Sequence, residues 1–289
     1  MSGRSNSIGR HLPTSGGLKR TLERAAQLGC EALQIFVSNP QGWAPPPERP
    51  DAGVLARGKL GAGLCPVVAH AKYLINLSSP DGELRERSVR ALAAELVAAG
   101  RLGADLVVVH AGSHGGEGEE RGMERLARGL DAARGLAASL GGRAAEPVVE
   151  NSCGAGTQLC SSFAALGRLA RLAGVRVCVD TAHAFVAGYD LSTPEGAAGV
   201  AGELGEHLDG RVALLHLNDA RNGLGSRRDG HAKVGEGRIP PGSFAALFAA
   251  LPGLPAVMET PYGTPEEDAR EIERVKELAG GLRGSPGGI

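Results

Sequence analysis

Eight short runs of apolar and β-branched residues recur along this chain, and patterns typical of helices separate most of them. The runs cover residues 8–12, 32–37, 66–71, 106–111, 147–151, 177–181, 212–218 and 256–260. Near-continuous apolar stretches such as 106–109 are typical of strands buried on both faces of a parallel sheet. This alternation predicts an α/β chain folded as a TIM (β/α)₈ barrel, which typically needs about 250 residues. We therefore predict a single domain over residues 1–279 of the 289-residue chain.

Helix start signals support this alternation. Residues 84–97 carry apolar side chains at helical spacing, and Ser79 is expected to cap the start of that helix. Thr193 and Thr264 are each followed by proline and predict two further helix starts. Glu267 completes a possible capping box with Thr264. Residues 162–172 and 243–251 are also predicted to be helical.

The main alternative architecture is a doubly wound open sheet with a nucleotide-binding glycine loop. Gly154 and Gly156 follow a predicted strand, but Leu159 stands where the third glycine of that motif is required. The glycine-rich stretch 112–118 lacks the Lys-Ser/Thr pair of a phosphate-binding loop. Both segments are predicted to be turns, so the barrel is the better interpretation.

Cysteine usage and hydropathy narrow the class of protein. The five cysteines include no CxxC pair, which argues against a disulfide framework or a cysteine-based zinc ribbon. Cys65 and Cys178 adjoin strand-like runs and are predicted to be small core residues. We see no signal-peptide pattern and no apolar run near the ~20 residues of a membrane span, so a cytoplasmic protein is expected. The Gly/Pro-rich residues 280–289 are predicted to form a disordered tail.

Ionisable side chains stand at or near the ends of six predicted strands. They are His70, His110, Glu150, Asp180, His216 and Glu259. His183 follows closely after Asp180, and Asp229 and His231 lie beyond the seventh run at a spacing that points both side chains the same way in extended chain. Because the carboxyl ends of barrel strands meet at the face that carries the active site, we expect all nine side chains to converge there.

This set of side chains predicts a metal centre. Taken singly, each residue is explained as well by an ordinary hydrogen-bonding role at a strand end. Together, four carboxylates and five imidazoles would desolvate and repel one another without compensating cations. Imidazole and carboxylate without thiolate suit Zn²⁺ or Mn²⁺, and nine ligands suffice for two or three ions.

The charge balance bears on the partner. A formal net charge of −1 argues at first against a nucleic-acid partner. Three divalent ions would make the loaded protein net positive, with the charge concentrated where a phosphate would bind. Basic residues of the segment after the seventh run are either a rim for backbone phosphates or a solvated loop. They are Arg221, Arg227, Arg228, Lys233 and Arg238.

The same residues, with their flanks, resemble the endonuclease IV (deoxyribonuclease IV) family of abasic-site endonucleases. The similarity runs in the family's order over nearly the whole chain, and the segments that follow the sixth and seventh strands are the most specific. The matching segments are SGG at 15–17, HAKYLINL at 70–77, HAGSH at 110–114, EN at 150–151, DTAHAFVAGYD at 180–190, HLND at 216–219, GSRRDGH at 225–231, GEG at 235–237 and ET at 259–260.

The resemblance implies a TIM barrel with three zinc ions, in which Mn²⁺ can replace part of the zinc. The first ion would be held by His70, His110 and Glu150, and the third by His183, Asp229 and His231. The second would be held by Asp180, His216 and Glu259, with Glu150 bridging to the first. The family hydrolyses duplex DNA on the 5′ side of an abasic site and leaves a 3′-hydroxyl and a 5′-deoxyribose phosphate.

The resemblance also implies how such a site would work. A water activated to hydroxide by the ions would attack phosphorus in line. Glu150 would act as the bridging ligand, and Glu259 would orient or deprotonate the water or serve only as a ligand. Tyr73 and Leu74 match the side chains that fill the gap left when the abasic nucleotide is flipped out. Arg227 and Arg228 would contact the DNA backbone, and Gln41 stands in the DNA-contacting loop where family members commonly carry arginine.

Two other functions are compatible with parts of this pattern. A sugar isomerase or epimerase of the same barrel superfamily would use Glu150, Asp180, His216 and Glu259 with Mn²⁺. It has no use for the surplus histidines or for the Asp229–His231 pair. A non-catalytic DNA-binding module would not need an ion cluster in a barrel mouth. We therefore predict a zinc-dependent abasic-site endonuclease that acts on damaged duplex DNA as a monomer, away from membranes.

Overall fold

A computed structural model of the chain describes residues 6–280. The strands are β1 Ile8–His11, β2 Ala32–Phe36, β3 Val67–His70, β4 Leu106–His110, β5 Glu146–Glu150, β6 Arg176–Asp180, β7 Val212–His216, β8 Asp219–Ala220, β9 His231–Ala232 and β10 Ala256–Met258. The helices are α1 Leu18–Gln27, α2 Ala52–Gly61, α3 Gly82–Leu102, α4 Glu119–Ser139, α5 Phe163–Ala173, α6 Thr181–Ala187, α7 Pro194–Leu208, α8 Pro241–Ala250 and α9 Pro265–Ala279.

The barrel is closed by eight parallel strands in the order β1-β10-β7-β6-β5-β4-β3-β2, which confirms the predicted fold. The predicted strand ends differ from the observed ones by one or two residues, the usual uncertainty at element boundaries. Within residues 6–280, we find no helix that is both long and apolar enough to cross a bilayer. The tail predicted to be disordered lies outside the described residues apart from Gly280.

The barrel interior is filled by small apolar side chains that point along the same face as the ionisable residues. Nine buried residues form this separate core: Ala32, Val68, Leu106, Val108, Val148, Cys178, Ala213, Leu214 and Val257. Because side chains of a strand alternate between faces, the residue two positions beyond Val68, Val148 or Cys178 points the same way. Those positions are His70, Glu150 and Asp180, so the alternation of each strand directs its ionisable side chain to the barrel mouth.

The register of the strands brings these residues side by side. His110 lies opposite Glu150 in the β4–β5 pair. Asp180 lies opposite His216 in the β6–β7 pair. His70 lies opposite Val108, which is two residues before His110 on the same face of β4. These side chains therefore meet because parallel strands end together, as the sequence spacing predicted.

Helix caps follow the predictions at two of three positions. Thr193 and Thr264 cap α7 and α9, and the Thr264–Glu267 capping box is present. Ser162, at the start of the segment predicted to be helical, caps α5. The prediction of Ser79 as the cap of α3 was wrong. Asp81 is the cap, since its carboxylate accepts from the backbone N–H of Glu83 and of Leu84.

One cysteine prediction was also wrong. Cys178 is buried in the barrel interior, as predicted, but Cys65 is exposed. The apolar run begins structurally only at Val67, so Cys65 belongs to the loop before β3 rather than to the strand.

A short hairpin of β8 and β9 was not predicted, because strands of two residues leave no periodic pattern. Its anchor is the buried carboxylate of Asp219, which accepts from the backbone N–H groups of Gly235 and Gly237 at 2.9 Å and of Ile239 at 2.8 Å. This anchor holds the loop that presents His231 to the barrel mouth.

A buried ion cluster joins β1 to α9 beneath that loop. One terminal nitrogen (Nη1) of Arg10 lies 3.1 Å from Glu271 and 3.2 Å from Asp268, and all three side chains are almost fully buried. Glu271 also accepts from the Thr260 hydroxyl at 3.0 Å and from the Val234 N–H at 3.1 Å. The cluster therefore fixes the segments next to Glu259 and His231.

Arg10→Met is expected to lower the free energy of unfolding by about 3–5 kcal/mol, because it removes the buried cation that Glu271 and Asp268 share. Urea denaturation of the wild type and the variant measures this. Lys19→Met removes an exposed ion pair with Glu23 and is the matched control, expected to stay within about 0.5 kcal/mol. Equal losses in the two variants would contradict the assignment of the cluster as a structural core element.

Candidate metal centre

Glu150 stands at the centre of the barrel mouth and is 1% exposed. Its Oε2 atom lies 3.5 Å from His70 Nε2 and 3.3 Å from His110 Nε2. Its Oε1 atom lies 3.0 Å from His216 Nδ1 and 3.4 Å from His183 Nδ1. One carboxylate thus reaches four imidazoles, two through each oxygen.

Three adjoining groups of side chains have ligand atoms that lie within 4.8 Å of one another. They are His70, His110 and Glu150; Glu150, Asp180, His216 and Glu259; and Asp180, His183 and His231. Glu150 belongs to two groups, as expected of a bridging carboxylate. Asp180 also belongs to two, which sequence reasoning did not anticipate.

Asp229 stands beside the third group at the rim, with 58% of its side chain exposed. Its Oδ1 lies 3.4 Å from His183 Nε2 and 3.5 Å from His231 Nε2, so the structure brings the three predicted residues together. His231 Nε2 also lies 3.6 Å from a carboxylate oxygen of Asp180. The third group therefore has a buried carboxylate on one side and an exposed one on the other.

The electrostatics of the barrel mouth favour the binding of cations. Burial opposes ionisation, but the charge of His216 and the close approach of His110 hold the pKa of Glu150 well below its usual value. Burial likewise opposes charge on His183, yet the neighbouring Asp180 and Asp229 raise its pKa well above the ordinary value. The hydrogen bond with His183 lowers the pKa of Asp229 to about 2. The carboxylates of Glu150 and Asp229 are thus ionised and require positive charge, from imidazolium or from a metal ion.

Unpaired atoms show that the residues fit bound metal ions. Glu150 Oε2 and His231 Nε2 are buried and have no hydrogen-bond partner among residues 6–280. A buried polar atom without a partner costs about 1–3 kcal/mol, so both atoms point to a missing ligand. The three groups supply only imidazole and carboxylate donors, the set that suits Zn²⁺ or Mn²⁺.

Gln34 of β2 was missed by sequence reasoning and supports two of the predicted ligands. Its side-chain carbonyl accepts from His216 Nε2 at 2.8 Å, and its amide nitrogen donates to Glu259 at 2.6 Å. The amide also lies 3.1 Å from His11 Nδ1, whose pKa burial lowers to about 4. Contacts of this kind fix the orientation of a ligand and the tautomer of a histidine.

Two asparagines position Asp180 and Glu259. The Asn151 side chain accepts from the backbone N–H of Asp180 at 2.6 Å. Asn218 donates from its amide to Asp180 at 2.6 Å and accepts from the backbone N–H of Glu259 at 2.7 Å. Both asparagines follow ligands in matched segments, EN and HLND, which was the signal that could have identified them.

The residues predicted to contact DNA lie around the same opening. Tyr73 is 52% exposed, and its ring stacks at 5.8 Å on that of His110. A cavity of about 200 Å³ beside it is lined by Tyr73, His110, Glu150, His183 and Asp229, among others. Leu74 is half-buried next to Tyr73, and the exposed Gln41, Arg227 and Arg228 complete the rim.

Two residues of the matched and basic segments lie outside the ligand set. His114 accepts from the backbone N–H of Gly118 at 3.0 Å, next to the start of α4. Lys233, considered for the phosphate-binding rim, lies 3.7 Å from Glu267 and 3.8 Å from Asp268 on α9. Both side chains are explained by these local contacts.

Comparison with known proteins gives consistent results. The family model described as xylose isomerase-like TIM barrel matches residues 22–278. The probable endonuclease 4 of Methanoculleus marisnigri is 37% identical over 281 residues, covering 94% of this chain and 99% of that protein. The crystal structure of endonuclease IV from Thermus thermophilus superposes with a TM-score of 0.83 at 36% identity, over 94% of this chain and 98% of that one. A D-tagatose 3-epimerase-like protein shares only the fold, with a TM-score of 0.69 at 17% identity over 95% of this chain and 98% of that one.

Proposed function

The chain belongs to the endonuclease IV family, within the xylose isomerase-like TIM barrels, and from that premise we propose that it is an abasic-site endonuclease of DNA repair. It hydrolyses the phosphodiester bond 5′ to an abasic site in duplex DNA and leaves a 3′-hydroxyl and a 5′-deoxyribose phosphate. One observation carries this proposal: nine imidazole and carboxylate side chains from six barrel strands and their loops converge at the barrel mouth, with Glu150 at their centre.

Three zinc ions, replaceable in part by Mn²⁺, are proposed for the three groups. His70, His110 and Glu150 would hold the first, and Glu150, Asp180, His216 and Glu259 the second. His183, Asp229 and His231 would hold the third, with Asp180 adjacent. Bound divalent cations supply activation of water and neutralisation of phosphate charge.

The chain's own side chains would position the reactants. The Gln34 amide donates to Oε1 of Glu259, and Oε2 of Glu259 lies 3.2 Å from His216 Nδ1. Glu259 is therefore fixed in direction and either orients the attacking water, accepts its proton, or serves only as a ligand. Burial of Glu150 and His216 keeps bulk water away from these groups and strengthens their electrostatic interactions.

Recognition of the damaged strand would fall to the rim. An abasic nucleotide leaves the helix at low cost because it has no base to unstack. Tyr73 and Leu74 would fill the gap it leaves, and the cavity beside Tyr73 would receive the sugar. Arg227 and Arg228 lie next to Asp229 at the surface, where guanidinium groups can bind backbone phosphates.

A sugar epimerase or isomerase is the second candidate function, since such enzymes share the fold. Glu150, Asp180, His216 and Glu259 could hold one Mn²⁺ for that chemistry. The further groups formed by His70, His110, His183 and His231 have no role there and favour the nuclease.

The test is incision of a labelled duplex that carries one tetrahydrofuran abasic analogue, beside an undamaged duplex of the same sequence. We expect a cut on the 5′ side of the analogue only, with a 3′ end that a DNA polymerase extends. The same metal-loaded preparation is assayed on ketoses with Mn²⁺. Ketose epimerisation with both duplexes intact would replace the nuclease by the second candidate.

Gln41→Arg is expected to tighten binding of the abasic duplex at moderate salt, because it restores the charged contact that family members commonly make. Gln41 is exposed and its backbone N–H donates to the Asn39 side chain, so the new side chain has room to reach a phosphate. We expect an affinity gain of about 3–10-fold at about 150 mM salt and a steeper salt dependence, measured by fluorescence anisotropy. The rate of the chemical step should not change, and identical salt curves for the two proteins would contradict the prediction.

We further propose that the enzyme acts as a monomer in the cytoplasm. Sedimentation velocity with and without the abasic duplex tests the first point, and a dimer that persists at micromolar concentration would contradict it.

A further inference from the structure

A buried ion pair lies between the two loops that form one side of the opening. Lys72 lies two residues after the end of β3, and Glu95 lies in the middle of α3. Lys72 Nζ is 3.3 Å from Glu95 Oε1, and each side chain is only 1% exposed. This pair is separate from the metal centre and is not used by the mechanism proposed above.

The Lys72 ammonium joins three parts of the chain. It donates to the backbone carbonyl of Ala44 at 2.8 Å and to the Ser38 hydroxyl at 2.5 Å, both in the loop after β2. Ser38 in turn donates to Glu95, and Glu95 accepts from the backbone N–H of Lys72 at 3.0 Å. The loop after β2, the loop after β3 and helix α3 are therefore tied at one buried point.

A pair of this kind does little for stability by itself. Removing two charges from water offsets most of the attraction between them, and a well-packed apolar pair of similar volume is often as stable. The ion pair instead specifies geometry, since its hydrogen bonds are satisfied only when the three segments hold one relative position. A second contact joins the same two loops: the backbone N–H of Tyr73 donates to the carbonyl of Pro40 at 3.1 Å.

We propose that Lys72 and Glu95 are positioning residues that set the two loops against each other for recognition of the abasic site. The loop after β2 carries Gln41 and Trp43, and the loop after β3 carries Tyr73 and Leu74. Stacking into a gap in the duplex requires these side chains to arrive together, so loops placed in advance bind with less loss of conformational entropy. The role in DNA recognition rests on the proposed function, whereas the placement of the loops can be tested without it.

The chain carries its own probe of loop position. Trp43 is its only tryptophan and immediately precedes Ala44, whose carbonyl accepts from Lys72. The Arg87 guanidinium lies 4.3 Å from the centre of the indole ring. Displacement of the loop changes the environment of this ring, so emission and acrylamide quenching of Trp43 report it directly.

The decisive variant is Lys72→Met/Glu95→Leu, which replaces the pair by apolar side chains of similar volume. Its control is Lys59→Met/Asp105→Asn, which removes the ion pair (3.0 Å) at the opposite end of the barrel, before β4. Ser38→Ala is the milder variant: it keeps Lys72 and Glu95 paired but removes one hydrogen-bonded link to the loop. Each protein is checked for metal content and thermal unfolding before assay.

We expect the double variant to fold, keep its metal content and cut the tetrahydrofuran duplex with kcat within about threefold of the wild type. KM for that duplex should rise at least about tenfold, and acrylamide quenching of Trp43 should increase. Ser38→Ala should show the same changes at about threefold, and the control should show neither. If the double variant is unstable, Ser38→Ala alone decides.

Wild-type KM and wild-type Trp43 quenching in a folded double variant, or in Ser38→Ala, would overturn the proposal. A fall in kcat at unchanged KM would also overturn it. If the wild type itself leaves the duplex uncut, the proposed function fails, and the comparison of Trp43 quenching still decides whether the pair places the loops.

Discussion

Replacing Glu150 by Gln is expected to slow incision at an abasic site by at least about 10³-fold, equivalent to about 4 kcal/mol of transition-state stabilisation. The substitution keeps the shape of the side chain but removes the negative charge that four histidines approach within 3.5 Å. Because Glu150 belongs to two of the three ligand groups, metal content should fall at two positions together. Single-turnover incision and metal analysis of the purified variant measure both effects.

Glu146→Gln is the matched control for this variant, since it makes the same change on the same strand. Glu146 begins β5 at the opposite end of the barrel and pairs at 2.7 Å with the exposed Arg176. We expect its incision rate to stay within about twofold of the wild type, because an exposed pair contributes little. A Glu150→Gln variant that keeps its metal content and its rate would contradict the account of the mouth as a bridged metal centre.

Removal of divalent cations is expected to lower the thermal stability of the protein strongly. Glu150 and Asp180 are almost fully buried beside histidines, and Glu150 Oε2 lacks a hydrogen-bond partner among the described residues. A ligand present at about a thousand times its Kd stabilises the folded state by about 4 kcal/mol for each site. Since about 1 kcal/mol shifts Tm by about 2–4 °C in a chain of this size, loss of one such ion should lower Tm by roughly 8–16 °C.

The measurement is calorimetry of the protein before chelation, after chelation and dialysis, and after addition of Zn²⁺. Arg10→Met provides the comparison, because it lowers stability without touching a ligand and should lose a similar further amount on chelation. A Tm that chelation leaves unchanged would mean that the cluster is satisfied by its own imidazolium–carboxylate pairs and binds no ion tightly.

Much of the site could be predicted from the sequence because the barrel simplifies the geometry. Once the chain is known to alternate strand and helix, the strand ends must share one face, so the position of His110 or Glu150 along the chain places it in space. The two-residue period of a strand then decides direction, as with Cys178 and Asp180. The resemblance to a known family added the grouping of the ligands.

Other features depend on contacts between distant segments and left no local pattern. Gln34 is a polar residue within an apolar strand, and the local sequence does not indicate its partners. They are His216 and Glu259, which lie 182 and 225 residues away. The approach of Asp180 to His231 depends on how the segment around His231 is held. Asp219 of β8 fixes that segment by accepting from the backbone N–H of Gly235, which follows β9. The choice between two neighbouring cap residues depended on backbone geometry that the sequence does not specify. The Asp81 carboxylate accepts from the free N–H groups at the start of α3, and Ser79 does not.

The most direct test of the central claim is incision of the tetrahydrofuran duplex by metal-free protein titrated with Zn²⁺. The analogue cannot undergo β-elimination, so any cut is hydrolytic. The account predicts no cut without metal and a cut on the 5′ side of the analogue as Zn²⁺ is added. It also predicts a rate that saturates near three equivalents of the metal. A folded, fully loaded protein that leaves the duplex intact, or a chelated protein that still cuts it, would contradict the account.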